Sequence, residues 1–325
     1  MKSRFFSLIG LATIAGLTAI VGACSQSSQS SSGGTPAASK TIGVSIQDLQ
    51  AQFYEDMEAG MKSEAAKYGY AISFVDANRD SNTQTAQVED FISKKVDAIV
   101  LTPADSKAIG PAIVEANQAN IPVFTADIAS TASRGTVVTH VASDNVQGGN
   151  VAAGLLCKAL GGAGTVAIID QPEVTSVQDR VSGFRAGLAA QCPKVTIVSD
   201  QDAGGDRATA ESVTDNLLQR YPNLSGIFGI NDDSALGALA AVRAAGKVGV
   251  VKIVGYDATA EAKQHIDDGE MVGDPQQHPE TIGKLTIDAI HDYFSGKTPP
   301  KRIPVPVGAY TGPPKPSSGG AAPSK

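Results

Sequence analysis

Tryptophan is absent from the chain, and nine phenylalanines and seven tyrosines supply every large aromatic ring. Any flat apolar face offered to a ligand must therefore come from one of those rings. Only four histidines occur, scattered without the spacing of metal ligands, so no metal site is expected. Cations are in the minority, 26 Lys and Arg against 33 Asp and Glu, and nowhere form a cluster. A net charge of -7 argues against nucleic acid or an anionic membrane surface as the ligand. What remains is a chain of 325 residues, 42% apolar and 18% charged, with ample material for the core of one large or two medium domains.

Cysteine is nearly as scarce, and its three copies divide into two roles. Lys2 and Arg4 precede the apolar run from Phe5 to Val21, which ends in Val21-Gly22-Ala23-Cys24. A charged start, an apolar middle and small residues before a cut describe an export signal over residues 1–23. Cys24 directly after the small residues resembles a bacterial lipobox, which makes it the lipidated first residue of the mature protein. The competing reading of the run is an uncleaved membrane anchor. Both put the rest of the chain outside the cytoplasmic membrane. Residues 24–40 read as the lipidated Cys with a flexible Ser-rich linker, and 313–325 as a Pro/Ser/Gly tail. Cys157 and Cys192 are then candidates for an internal disulfide in an oxidising compartment, against two separately buried thiols.

From Thr41 onward, strands of apolar residues alternate with helical patterns, which implies βαβ units and a parallel sheet. The halves repeat. The stretch Asp97-Ala98-Ile99-Val100-Leu101-Thr102 parallels Ser225-Gly226-Ile227-Phe228-Gly229-Ile230-Asn231, and the elements around them keep the same order. Two doubly wound α/β domains with parallel-sheet cores are expected. Helices are predicted over 105–118 and 235–245, and a short strand over 271–274. Gly161, Gly162 and Gly164 precede a strand instead of following one, so they read as a turn and not as a dinucleotide fingerprint.

Ligands of open α/β sheets bind off the carboxyl ends of the strands. There the first half offers Gln47, Asp76, Thr102 and Asp127, and the second Asp170, Asp200, Asn231, Asp257, Gln276 and Gln277. Taken singly, each reads most simply as a turn or helix-cap residue. Together they form two rows of amides and carboxylates facing across a cleft, with Phe53, Tyr54 and Tyr256 beside them. Carboxylates accept from hydroxyls, amides donate to them, and an aromatic face covers C–H groups. That mixture suits a neutral polyhydroxylated ligand. No Lys or Arg is evident at these strand ends, which argues against an anion. Asp232 and Asp233 are read as caps of the helix from Ala235.

The stretches Ala116-Asn117-Gln118-Ala119-Asn120-Ile121-Pro122-Val123, His140-Val141-Ala142-Ser143-Asp144-Asn145, Asn231-Asp232 and Val254-Gly255-Tyr256-Asp257 carry a resemblance. From Thr41 to about Tyr310 the chain resembles the ribose-binding type of periplasmic sugar-binding proteins, the solute receptors of ABC importers. The resemblance implies two Rossmann-like domains, 41–143 with 278–305 and 144–277 with 306–312, joined by a three-crossover hinge. It implies ligand contacts at Phe53, Tyr54, Asp127, Asn231, Tyr256, Asp257 and Gln277, with Ser143 at the hinge. The chain departs from the family pattern at Gln47, Thr102, Ala51-Gln52, Ile128 and Gln178, of which Gln47, Thr102 and Gln178 are still expected to contact the ligand. Ile128 and Gln178 stand where the family has arginines, although nearby Arg180 is kept, so the class of receptor follows but ribose does not.

The expected protein is thus a monomeric, lipid-anchored extracytoplasmic receptor without cofactor. It binds a neutral monosaccharide or sugar alcohol and delivers it to a membrane permease and ATPase. The same fold signalling to a chemoreceptor or histidine kinase is the alternative. An enzyme is not expected, since no carboxylate pair is placed at catalytic separation and no activated nucleophile occurs. The export signal and the lack of a helix-turn-helix exclude a cytoplasmic repressor.

Overall fold

A computed structural model describes residues 39–313. The export signal, Cys24, nearly all of the linker and all but the first residue of the tail lie outside the described residues. The first lobe opens with β1 (Thr41–Ile46), α1 (Gln52–Tyr68), β2 (Ala71–Asp76), α2 (Ser81–Lys94), β3 (Ala98–Leu101), α3 (Gly110–Gln118), β4 (Val123–Ala126) and β5 (Val137–Ser143). The chain then leaves for α4 (Asn145–Ala159), β6 (Ala163–Asp170), α5 (Thr175–Gln191), β7 (Lys194–Asp202), α6 (Arg207–Arg220), β8 (Gly226–Gly229), α7 (Asp232–Ala244), β9 (Lys252–Val254), α8 (Ala260–Asp267) and β10 (Asp274–Gln276). It returns with α9 (Pro279–Phe294) and β11 (Arg302–Val305), and crosses once more into β12 (Gly308–Tyr310).

Two sheets result. One is ordered β11-β5-β4-β3-β1-β2 and the other β7-β6-β8-β9, every pairing within them parallel. A small antiparallel pair, β10 with β12, braces the third crossing. Strand order reverses between β1 and β3 in the first sheet and between β6 and β8 in the second. Those switch points open a crevice at the carboxyl ends of the strands. Each sheet is covered on both faces, which is why β3 and β8 are short runs buried at every residue.

Helix pairs come unusually close at glycines. A Cβ on Gly149 of α4 would stand 2.1 Å from the Arg180 carbonyl of α5, and one on Gly183 of α5 2.2 Å from the Val146 carbonyl. Only hydrogen fits there, so the α4–α5 contact is backbone against backbone, and it fixes the height at which Arg180 leaves its helix. Cys157 on α4 and Cys192 at the end of α5 are bonded, their Cα atoms 6.0 Å apart. That separation is ordinary for a disulfide.

Three elements differ from the sequence expectation. The helix predicted from Asp105 begins at Gly110, because Asp105 Oδ1 accepts from the amides of Lys107 and Ala108, both at 2.7 Å, and holds that stretch in turns. Pro111 then occupies the first turn of α3, where its missing N–H costs nothing. The strand predicted over 271–274 lies at Asp274–Gln276, where β12 supplies its partner. Helix α7 starts at Asp232, three residues before the predicted Ala235.

Candidate functional site

The loops at the carboxyl ends of both sheets enclose a cavity of about 150 Å³ lined from both lobes. Gln47, Phe53, Tyr54 and Asp127 line it from the first lobe, and Asn231 and Asp257 from the second. Gln277 touches the site through Asp257, donating its amide to Oδ1 at 2.6 Å, and lines an adjoining hollow with Phe53. Besides Gln277, four more of the expected contacts are not among the lining residues of the cavity. Thr102 and Ser143 are fully buried, each with its hydroxyl lacking a protein partner. Tyr256 lies completely beneath the cavity and donates its hydroxyl to Asn145 Oδ1 at 3.1 Å. Gln178 is exposed, its amide donating to the Pro172 carbonyl at 2.8 Å, because its position on α5 points away from the cleft.

The absence of cations from the strand ends needs correcting. Arg79, Arg180 and Arg207 all line the cavity. Arg180 is 4% exposed; its guanidinium stacks 4.0 Å from the ring centre of Tyr256 and donates to Asn145 Oδ1 at 2.9 Å and the Ile230 carbonyl at 2.8 Å. It stands 3.9 Å from Asp257. The signal for it lay in helical spacing: Ser176, Val177, Arg180 and Phe184 share the buried face of α5. A charged residue on an otherwise apolar helix face is out of place unless something buried needs it.

Burial pushes the carboxyls of Asp127 and Asp257 up from their ordinary range, and the Arg180 charge pulls both back. Burial alone would lower the guanidinium's affinity for its proton, but Tyr256, Asp257 and Asp127 together raise it. Arg180 is thus the charge that lets two buried carboxylates share one cavity. Tyr54 adds a neutral link, donating to Gln47 Oε1 at 2.9 Å and lying 3.2 Å from Asp127 Oδ2. Its hydroxyl is held protonated by burial and by Asp127.

Backbone strain concentrates at the same residues. Asp127, Asp257 and Ala258 have φ of 62°, 120° and 58°, a region that side chains other than hydrogen disfavour. Such residues cost about 1–3 kcal/mol each and persist where the surroundings over-determine them. Here they are pinned: Asp257 N donates to the Pro275 carbonyl at 3.0 Å, and Gln277 N to the Asp257 carbonyl at 3.1 Å. The strain turns both carboxylates into the cleft. Asp127 Oδ1, Gln47 Nε2 and Gln277 Oε1 remain buried without a protein partner, so acceptors and a donor stand ready for a ligand's hydroxyls.

Asn231 and its neighbours also differ in role. Asn231 itself caps α7, its Oδ1 accepting from Ser234 N at 2.8 Å, while its amide donates to the Gly205 carbonyl at 3.0 Å. Asp233 pairs with Arg207 at 3.2 Å. Asp232 is buried and accepts from Thr259 N at 2.7 Å. Beside it lies buried Asp274, accepting from Gly255 N at 2.7 Å. The two carboxyls bracket Gly255, whose missing Cβ would stand 2.8 Å from an oxygen of each. They therefore clamp the loop that carries Tyr256 and Asp257. Elsewhere, His265, Asp268 and Glu270 converge on the surface, but the Arg243 guanidinium already bonds His265 Nδ1 and Glu270 there.

Comparison with known proteins gives a consistent result. Residues 42–298 match the family model described as "Periplasmic binding protein domain". The chain is 39% identical over 268 residues to the ribose import binding protein RbsB of Bacillus subtilis (strain 168), covering 82% of this chain and 86% of that protein. Among solved structures, the Caulobacter myo-inositol binding protein bound to myo-inositol superposes with a TM-score of 0.79 at 32% identity, over 85% of this chain and 95% of that one. An ABC transporter solute-binding protein from Agrobacterium vitis, bound with alpha-D-tagatopyranose, gives 0.80 at 29% identity, over 84% and 94%.

Proposed function

Since the chain belongs to the periplasmic binding protein family, we propose that it is an exported, lipid-anchored receptor that captures one neutral monosaccharide or sugar alcohol and presents it to an ABC importer. One observation carries the reading: Asp127, Asp257 and Arg180 converge, with unpartnered Gln47 Nε2 and Gln277 Oε1 beside them, around a cavity of about 150 Å³. A space of about that size holds a single six-membered ring, as it does benzene in an engineered apolar cavity. It matches a single monosaccharide ring. The polar lining rejects an apolar guest. The relatives' named ligands, ribose, myo-inositol and tagatopyranose, are all compact, neutral and polyhydroxylated.

In this reading residues 41–143 with 278–305 form one lobe and 144–277 with 306–312 the other. They pivot at Ser143-Asp144, Gln277-His278 and Val305-Pro306, where the chain passes between the sheets. Cys24 carries the lipid, and the protein acts as a monomer without cofactor. Differential scanning against pentoses, hexoses, alditols and inositols tests the proposal. At least one of them should raise the melting temperature, and Asp257→Ala should abolish that rise without unfolding the protein. A panel without effect on the wild type would sink the reading.

A further inference from the structure

The turn after β2 carries two successive non-glycine residues in the left-handed region, Asn78 at φ 50° and Arg79 at φ 58°. The first lobe anchors Arg79 firmly. Its Nε donates to Asp48 Oδ2 at 2.9 Å, its Nη2 lies 2.7 Å from the same oxygen, and its backbone amide donates to the Gln47 carbonyl at 2.8 Å. The remaining nitrogen reaches the other lobe, where Nη1 donates to the Gly204 carbonyl. Gly204 and Gly205, with φ of 61° and 67°, form a turn that only glycine adopts readily. A Cβ on Gly205 would stand 2.8 Å from Arg79 Nη1 and 2.6 Å from Gln171 Oε1. The adjacent Gly205 carbonyl receives the Asn231 amide at 3.0 Å. One two-glycine turn is thus gripped from both lobes, by Arg79 on one side and by a cavity-lining asparagine on the other.

We propose that Arg79 is an interlobe positioning residue: held by Asp48, it fastens the Gly204–Gly205 turn and so sets how long a captured ligand is retained, without choosing among ligands. The proposal rests on the ligand-capturing function argued above. All three guanidinium nitrogens are committed to protein acceptors, so its contribution belongs to the closed arrangement rather than to one sugar's hydroxyl pattern. Neither partner is wholly solvated: the side chain of Arg79 is 23% exposed and that of Asp48 10%. A charge-assisted bond of this kind is worth roughly tenfold in an equilibrium or a rate. Lysine cannot replace it, lacking the fork that holds Asp48 and Gly204 together.

Stopped-flow binding of Arg79→Ala and Arg79→Lys tests the proposal, using every pentose, hexose, alditol and inositol that binds the wild type. Dissociation should quicken by roughly tenfold, by the same factor for each ligand, with association little changed. Asp48→Asn should reproduce part of the effect. Unchanged dissociation would refute the latch, and a factor that varies with the sugar would make Arg79 a recognition residue instead. If no panel member binds wild-type protein, the functional reading fails separately. The latch is then judged by hydrogen exchange at the amides of Gly204, Gly205 and Asp206. Faster exchange in Arg79→Ala supports it, and equal exchange overturns it.

Discussion

Replacing Asp274 with asparagine should make the protein more stable at alkaline pH and leave it nearly unchanged in acid. Asp232 and Asp274 are 3% and 0% exposed, and each spends one oxygen on a backbone amide. Their other oxygens, Asp232 Oδ1 and Asp274 Oδ2, have no further partner. Burial pushes both carboxyls up, Asp274 to about 7, so the pair retains a proton that belongs to both. In the unfolded chain an aspartate titrates near about 3.9. Between those values the folded state binds more protons than the unfolded one, and stability must fall as pH rises. At about 1.4 kcal/mol per unit, the loss from the Asp274 shift amounts to about 4 kcal/mol across that window. The substituted amide would keep an Oδ1 acceptor for Gly255 and donate to Asp232 in place of the shared proton. Urea unfolding of wild type and Asp274→Asn at about pH 5 and about pH 8 reads the effect as a difference of differences, in which the other titrating groups cancel. The variant should gain about 3 kcal/mol relative to wild type between the two conditions. An equal offset at both pH values would refute the shared proton.

Other expectations concern the cleft and the disulfide. Arg180→Met should lose ligand binding and destabilise the fold by about 3–5 kcal/mol, because Asp257 and Asp127 would face each other uncompensated; binding retained in a calorimetric titration would show that the charge is dispensable. Gly149→Ala should force α4 and α5 apart, costing about 1–3 kcal/mol, with slower or weaker ligand binding because Arg180 moves with α5; unaltered thermal stability would contradict the backbone contact. Cys157 and Cys192 enclose a separation of 35 residues, and removing both should cost about 3–4 kcal/mol by the chain-entropy model. Thiol titration of the denatured, unreduced protein should find neither of the two free.

Much of the architecture was legible in the order of residues, and for an identifiable reason. A strand buried between helices must be a continuous apolar run, so Ala98–Leu101 and Gly226–Gly229 announce themselves, as does their repetition in the two halves. The polar residue that ends such a run necessarily comes to a carboxyl edge. Hence Gln47, Asp127, Asn231 and Asp257 reach the cavity as expected from position alone. Gln178 was misplaced because one step along a helix turns a side chain by about 100°, and the cleft faces the Arg180 side of α5. The cap of α7 falls on Asn231 rather than on Asp232 or Asp233, because the helix starts at Asp232.

The sequence by itself determined two α/β lobes and a row of polar strand ends on each. Local pattern suffices for these, since burial and hydrogen-bond type are properties of short segments. Only the tertiary structure decided that the Arg180 charge offsets those of Asp127 and Asp257, that buried Asp232 and Asp274 bracket Gly255 behind Tyr256 and Asp257, and that Arg79 reaches Gly204. Each joins groups from distant parts of the chain, and charge balance in a buried site depends on which groups are brought within a few ångströms of one another.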